Sequence, residues 1–441
     1  MKAGSGDLPT SDPYLRGHGD PSWSATGYDL DLDYAVATNR LQGQATITAV
    51  AERETGRIVL DLAGLGVDKV SVTGAVLARY ATRSNRLVLT LRYQIAAGTE
   101  FRVTVRYSGK PVPLIDRHHG DAGWEELTDG VIVAGQPHGA PTWFPCNDRP
   151  DDKARYRISV TTQPDYTVVA NGTLVSRTRH GSSVTWVHRQ DAPMASYLAT
   201  VQIGRYEMVD LDAVVPMRAA IPPGSSDGFA AAFGDQPEMM AAFTAMFGPY
   251  PFECYVVVVT ADELEIPLES QGLSTFGVNF LNADWDSVRL VAHELAHQWF
   301  GNAVTLKSWR DIWLHEGFAC YSEWLWSEAS GLDSADTHAR NHHRRLSGLD
   351  QNLLLADPSP EMMFDDRVYK RGALTLHAVR LQVGDVAFFD LLKGWVSTRS
   401  GGSVTTAEFR EFAIAQTGVE LDQLFTDWLD RTALPDLPAA S

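Results

Sequence analysis

Cysteine is scarce in this chain. Three residues, Cys146, Cys254 and Cys320, are spread over 441 positions, too few and too far apart for a disulfide framework or a cysteine-ligated metal, so each reads as a small buried residue. Long apolar runs are also missing. Nothing approaches the ~20 residues that span a bilayer, and the opening MKAGSGDLPTSDPYLRGHGD has no apolar segment behind its lysine, so neither a membrane span nor a signal peptide is expected and the cytoplasm is the default compartment. Basic charge is in deficit: 37 Lys and Arg stand against 55 Asp and Glu, a net charge of −18. That argues against nucleic acid as a partner, because phosphate binding needs concentrated Lys and Arg. No internal repeat and no low-complexity stretch occurs. What remains is ordinary globular composition, 44% hydrophobic and 21% charged, at a length that suggests two or three domains.

Residues 1 to about 26 are rich in Gly, Pro, Asp and Ser and are expected to form a loosely ordered lead-in. From Tyr28 the pattern changes. YDLDLDYAV alternates apolar and polar residues, and similar runs follow at QATITAVA, RIVLDLA, RLVLTLRY, FRVTVRY, YRISVTTQ, TVVANGTLVSR and SVTWVHR. Many short segments of period 2 predict an all-β domain. Pro222-Pro223-Gly224-Ser225-Ser226 then reads as a boundary, dividing the chain into a β domain (1–221) and a second domain (222–441). In the second, GFAAAFGDQPEMMAAFTAMFG has helical spacing with core-type Met and Phe. YVVVVT reads as a strand leading to Glu269, and from Asp286 the chain reads as helices with short connections.

The second domain carries the chemistry. His293-Glu294-Leu295-Ala296-His297 puts two histidines four positions apart, and on a helix that spacing stacks both imidazoles on one face, within reach of one metal ion. Glu316 lies nineteen positions further on (316 − 297), in SWRDIWLHEGF, which reads as the start of a second buried helix. Two neutral imidazoles and a carboxylate, with the fourth tetrahedral position open, form the ligand set of a catalytic zinc site. Glu294, about a hundred degrees round the helix from His293, is placed to take a proton from water without ligating the metal. The pattern points to hydrolysis assisted by one Zn2+ per chain.

HELAHQWFGNAVTLKSWRDIWLHEGFACYSEWL resembles the zinc-binding core of the aminopeptidase N family, the gluzincin aminopeptidases. The resemblance extends to Pro267-Leu268-Glu269-Ser270-Gln271, similar to that family's exopeptidase motif, to Val368-Tyr369-Lys370-Arg371-Gly372-Ala373, similar to its catalytic-tyrosine motif, and to Trp143-Phe144-Pro145-Cys146-Asn147-Asp148, similar to an N-terminal signature. It implies a saddle-like β domain followed by a thermolysin-like α+β, mainly helical, peptidase domain. It implies an enzyme that releases N-terminal residues from peptides with a free N-terminus. Glu269 would bind the α-ammonium with support from Gln136, Pro267 and Leu268 would line the substrate cleft, and the Tyr369 hydroxyl would donate to the oxyanion. The chain departs from the family at Ile266 and Pro267, where small residues are usual, at Arg371, where lysine is more common, and in ending where longer members continue into further domains.

Other residues are read from position alone. Glu323, seven positions after Glu316 and on the same helical face, could orient a zinc ligand. His338, His342 and His343 among Arg340, Arg344 and Arg345 read as a solvated basic face. His315 receives no role. Trp299, Trp309, Trp313, Trp324 and Trp326 are expected to pack the two ligand-bearing helices together. The rival readings are a bifunctional epoxide hydrolase and aminopeptidase, and a catalytically silent peptide-binding relative. Oligomeric state and the preferred N-terminal residue are not encoded in any recognisable pattern.

Overall fold

The computed structural model describes residue 8 and residues 10–438. The chain divides into two compact units, one running to Arg205 and one starting at Tyr206, and each is described by itself.

The first unit is built of β-strands with a few single 3-10 turns. Its largest sheet has seven strands: Thr173–His180, Ser183–Ala195, Lys153–Thr162, Trp23–Ala35, Arg40–Ala51, Glu100–Gly109 and Gly66–Thr73, in that spatial order. The pairing is antiparallel except at the centre, where Trp23–Ala35 runs parallel to Lys153–Thr162 with Tyr28 opposite Tyr156. Period-2 sequence translates directly into two faces: Leu30, Leu32 and Tyr34 are buried, while Asp29 and Asp31 face solvent and share Arg157 at 2.7 and 2.9 Å. Five further strands, ending in Leu114–Asp116, Gly120–Leu127 and Gly130–Ala134, form a second sheet, and three more form a hairpin-based third.

One expectation is corrected here. The lead-in is ordered well before residue 26. Residues 1–7 and 9 lie outside the described residues, but Tyr14, Leu15, Asp20 and Ser22 are buried, Asp20 accepts the Val59 N–H, and the first strand begins at Trp23. A Gly- and Asp-rich stretch looked loose because its partners, Asp61, Arg86 and Asn147, are distant in sequence. By its contacts the chain divides between Arg205 and Tyr206, a little before the change from strands to helices that lies at 221. Strands Glu207–Leu211 and Met217–Ile221 belong to the second unit because Met217–Ile221 pairs in parallel with Tyr255–Thr260.

The second unit combines that sheet with helices. Its strands run Glu207–Leu211, Met217–Ile221, Tyr255–Thr260, Leu273–Gly277, Leu268–Ser270. The last is an antiparallel edge strand with Glu269 opposite Ser274. The helices are α1 (Ser226–Phe233), α2 (Gln236–Phe247), α3 (Trp285–Ala296), α4 (Trp313–Ala329), α5 (Ala335–Ser347), α6 (Asp366–Val383), α7 (Asp385–Arg399), α8 (Thr406–Thr417) and α9 (Asp422–Leu429). Starts follow capping chemistry: Asp284 accepts the Ser287 N–H before α3, Asp365 caps α6, and Thr405 with Glu408 forms a capping box on α8. α4 is buried from Trp313 to Ser327. α4 meets α6 backbone to backbone, because a Cβ on Gly317 would lie 2.8 Å from the Gly372 Cα; only glycine at both positions lets the two helices come so close.

Ring contacts of the tryptophans reach beyond the two ligand-bearing helices. Trp299 sits against Phe243, Phe247 and Tyr250, Trp313 against Phe409, and Trp309 against Phe364. They tie each ligand helix to other parts of the unit. The two ligand helices themselves are joined by polar contacts at the site.

Candidate metal centre and active site

α3 presents His293 and His297 on one face, and α4 brings Glu316 from its first turn. Glu316 Oε2 stands 3.4 Å from Nε2 of His293 and 3.4 Å from Nε2 of His297. Tetrahedral ligands held about 2.1 Å from one ion lie about that far apart. All three residues are buried. Each imidazole is oriented through its other nitrogen: His293 Nδ1 lies 2.8 Å from Glu323 Oε1, and His297 Nδ1 lies 3.1 Å from the Phe300 carbonyl. Both ε nitrogens are thereby turned toward Glu316, the arrangement by which outer groups fix a metal-ligating tautomer. The donors fit a divalent ion of zinc type.

Glu323 is held in turn. Its Oε2 is 3.2 Å from Arg289 and 3.8 Å from Lys370. Burial pushes its carboxyl upward, but Lys370, His293 and Arg289 outweigh that and hold it at about 2. Glu316 is likewise held far below the usual carboxylate range by His297 and His293, against its burial. Glu294 differs. It is buried, burial pushes it up to about 8 despite the nearby imidazoles, and its Oε2 has no hydrogen-bond partner among the described residues. An unpartnered buried carboxylate beside a metal-type donor set is suited to exchanging a proton.

Glu269 joins the cluster from the edge strand: single donor atoms of Glu269, Glu294 and His297 lie within 4.8 Å of one another. Pro267 is buried and Leu268 half-buried beside it, while Ile266 is exposed. Tyr369, half-buried in the first turn of α6, stacks its ring 6.0 Å from that of His293. Burial and the surrounding carboxylates raise its phenol well above the ordinary value, so it is a donor at any working pH. Gln136 belongs to the first unit, half-buried in the turn after Gly130–Ala134.

Several contacts escaped the sequence reading. Gln298 accepts the Gly272 N–H at 2.8 Å and donates to the Ser270 carbonyl at 3.1 Å, and Asn302 donates to the same carbonyl at 3.0 Å. These two side chains clamp the Glu269 strand to the end of the histidine helix. The signal was present in HQWFGN, as buried polar residues directly after the metal motif. His315, given no role, is buried and accepts the Leu306 N–H through Nε2 at 2.7 Å. The histidines of α5 do not lie on a solvated face. All three are half-buried: His342 stacks on Trp324 at 5.2 Å, His338 stacks on Trp285 at 5.5 Å, and His343 reaches the Pro435 carbonyl.

An edge-strand carboxylate, a two-histidine helix and a glutamate helix thus converge on one cluster of metal-type donors. Comparison with known proteins gives the family. Residues 24–198 match the Peptidase M1 N-terminal domain and residues 231–428 match the Peptidase family M1 domain. An M1 zinc metallopeptidase from Deinococcus radiodurans, solved as a mutant with a Tyr-Ser-Ala substrate, superimposes with a TM-score of 0.90 at 32% identity, covering 98% of this chain and 99% of that one. A related structure holding L-arginine gives 0.89 at 31%. Among curated relatives, the leucyl aminopeptidase of Saccharolobus solfataricus is 25% identical over 92% of this chain, and probable aminopeptidase 2 of Sulfurisphaera tokodaii is 24% identical over 92%. The chain belongs to peptidase family M1. It spans about half the length of these curated relatives, 53% and 54%.

Proposed function

We propose that this chain is a zinc-dependent aminopeptidase acting on peptides with a free N-terminus. The observation that carries the reading is the placement of the Glu269 carboxylate within 4.8 Å of Glu294 and His297 donor atoms. A metal centre, a base and a second anion are compressed into the space of one amino-acid residue. His293, His297 and Glu316 would hold Zn2+, which supplies Lewis acidity and a water of lowered pKa. Glu294 takes the proton of the attacking water through its unpartnered oxygen and passes it to the departing amine. Tyr369 donates its hydroxyl hydrogen to the developing oxyanion, a contribution of typically ~3 kcal/mol. Glu269 holds the substrate ammonium by charge-assisted hydrogen bonds, so that only the first peptide bond reaches the base; Pro267 and Leu268 complete the side-chain contacts. Short peptides are favoured as substrates by likeness to the Deinococcus protein with its tripeptide. The cytoplasm is the compartment we favour, since the three cysteines are all free thiols.

The test is a matched pair of substrates, one with a free amine and one N-acetylated. Acetylation removes the cation, so the intact protein should prefer the free peptide by orders of magnitude in kcat/KM. Glu269→Ala should raise KM, lower kcat and narrow that preference. An unchanged ratio between the two substrates in the variant would move the amine anchor elsewhere.

A further inference from the structure

A second group of metal-type donors lies wholly within the β unit. The short strand Leu114–Asp116 turns through residues 117–119 into the strand Gly120–Leu127. In that turn one oxygen of Asp116 accepts the backbone N–H of His118 at 2.8 Å and of His119 at 3.2 Å. The same oxygen stands 3.3 Å from Nδ1 of His119, whose side chain is 3% exposed. His138 comes in from the turn after Gly130–Ala134, with its ring centroid 6.1 Å from that of His119. One donor atom from each of Asp116, His119 and His138 lies within 4.8 Å of the others.

His138 is the telling residue. It is 4% exposed, yet neither of its ring nitrogens has a hydrogen-bond partner among the described residues. Buried polar groups are almost always satisfied, and an exception calls for a ligand, ion or water. Burial, with the His18 ring stacked 5.9 Å away, pushes His138 down to about 4. A cavity of about 220 Å3 has Asp116, His138, His18 and Asp61 in its wall, leaving room for water to complete a coordination sphere.

We propose that Asp116, His119 and His138 bind a divalent ion of zinc type in the β unit, independent of the peptidase centre. Two imidazoles and one carboxylate select a borderline ion such as Zn2+ over Mg2+ or Ca2+, which prefer all-oxygen sites. Bound there, it pins the 117–119 turn to the turn that carries His138, and an ion that binds only the folded unit raises its melting temperature.

The experiment uses the full, tag-free chain, stripped with chelator and titrated with Zn2+ by calorimetry, with metal content measured after gel filtration. The wild type should bind two equivalents. His119→Ala and Asp116→Asn should each bind one, and Glu316→Gln combined with His119→Ala should retain none while still melting cooperatively. Zinc should raise the melting temperature of Glu316→Gln, but not that of the double variant. One equivalent in the wild type, or two in both single variants, would overturn the proposal. Should His119→Ala fail to fold, Asp116→Asn, which exchanges one oxygen for an amide nitrogen, decides alone.

Discussion

Replacing Gly317 with alanine tests whether the α4–α6 separation sets the geometry of the site. The added Cβ would lie 2.8 Å from the Gly372 Cα and 3.0 Å from its carbonyl carbon, where carbon atoms in contact prefer roughly 3.5–4.0 Å. Backbone cannot step aside as a side chain can, so the helices must part by about 0.7–1.2 Å. Such overpacking costs about 1–3 kcal/mol. Alanine's better helix propensity returns about 1 kcal/mol, leaving a net loss of about 0–2 kcal/mol. At about 2–4 °C per kcal/mol for a unit of this size, the melting temperature should fall only modestly. Activity should fall much further. Glu316 precedes Gly317 directly and Tyr369 lies one turn before Gly372, so the shift acts on a metal ligand and an oxyanion donor together, and a displacement of ~1 Å at a reacting centre can cost ~10²-fold in rate. The assay is kcat/KM on an aminoacyl chromogenic substrate, alongside thermal melting and metal content. A raised melting temperature with unchanged kcat/KM would refute the reasoning, since helix propensity alone would then account for the change.

The remaining expectations follow from single contacts. Glu294→Gln removes the proton acceptor and no ligand, so kcat should nearly vanish while metal analysis gives wild-type zinc content. Tyr369→Phe deletes only the hydroxyl and should lower kcat by about a hundredfold with KM little changed; an equivalent loss of thermal stability would point to packing instead. Glu323→Gln keeps the shape but leaves Arg289 and Lys370 without their anion, and should weaken zinc by about 10–100-fold in chelator competition. Its activity should recover in excess zinc; failure to recover would mean that Glu323 does more than orient His293.

How much of this could be read in advance depended on the range of the interactions involved. His293 and His297 were legible because helical periodicity is a local property, and Glu323 because seven residues bring a side chain back to the same face of α4. The strands from Tyr28 onward were legible for the same reason with period 2. The parallel pairing of Met217–Ile221 with Tyr255–Thr260 was not, because its two strands lie far apart in sequence. The lead-in was hidden in the same way, its carboxylates meeting partners such as Val59 that no local pattern announces. The α5 histidines misled because Arg340, Arg344 and Arg345 are exposed, and a charged stripe says nothing about what stacks on its margin.

The motif Tyr369-Lys370-Arg371 makes the same point within three residues. Successive positions on a helix point about a hundred degrees apart, so a contiguous string on α6 must serve three different surroundings. Tyr369 faces the metal-type cluster, and Lys370 reaches Glu323 and the Cys320 sulfur at 3.8 and 3.2 Å. Arg371 turns to the end of the chain, donating to the carbonyls of Trp428 at 2.9 Å and Thr432 at 2.6 Å, and to those of Arg431 and Ala433. Among the described residues no carboxylate pairs with it, and burial pushes its guanidinium down to about 10. A lysine, with three donors on one atom, could not span carbonyls so spread out, whereas a guanidinium presents five in a fixed plane. The departure from the family's usual lysine thus fits a role the motif itself does not advertise: Arg371 fastens the segment after α9 to the helix that carries Tyr369.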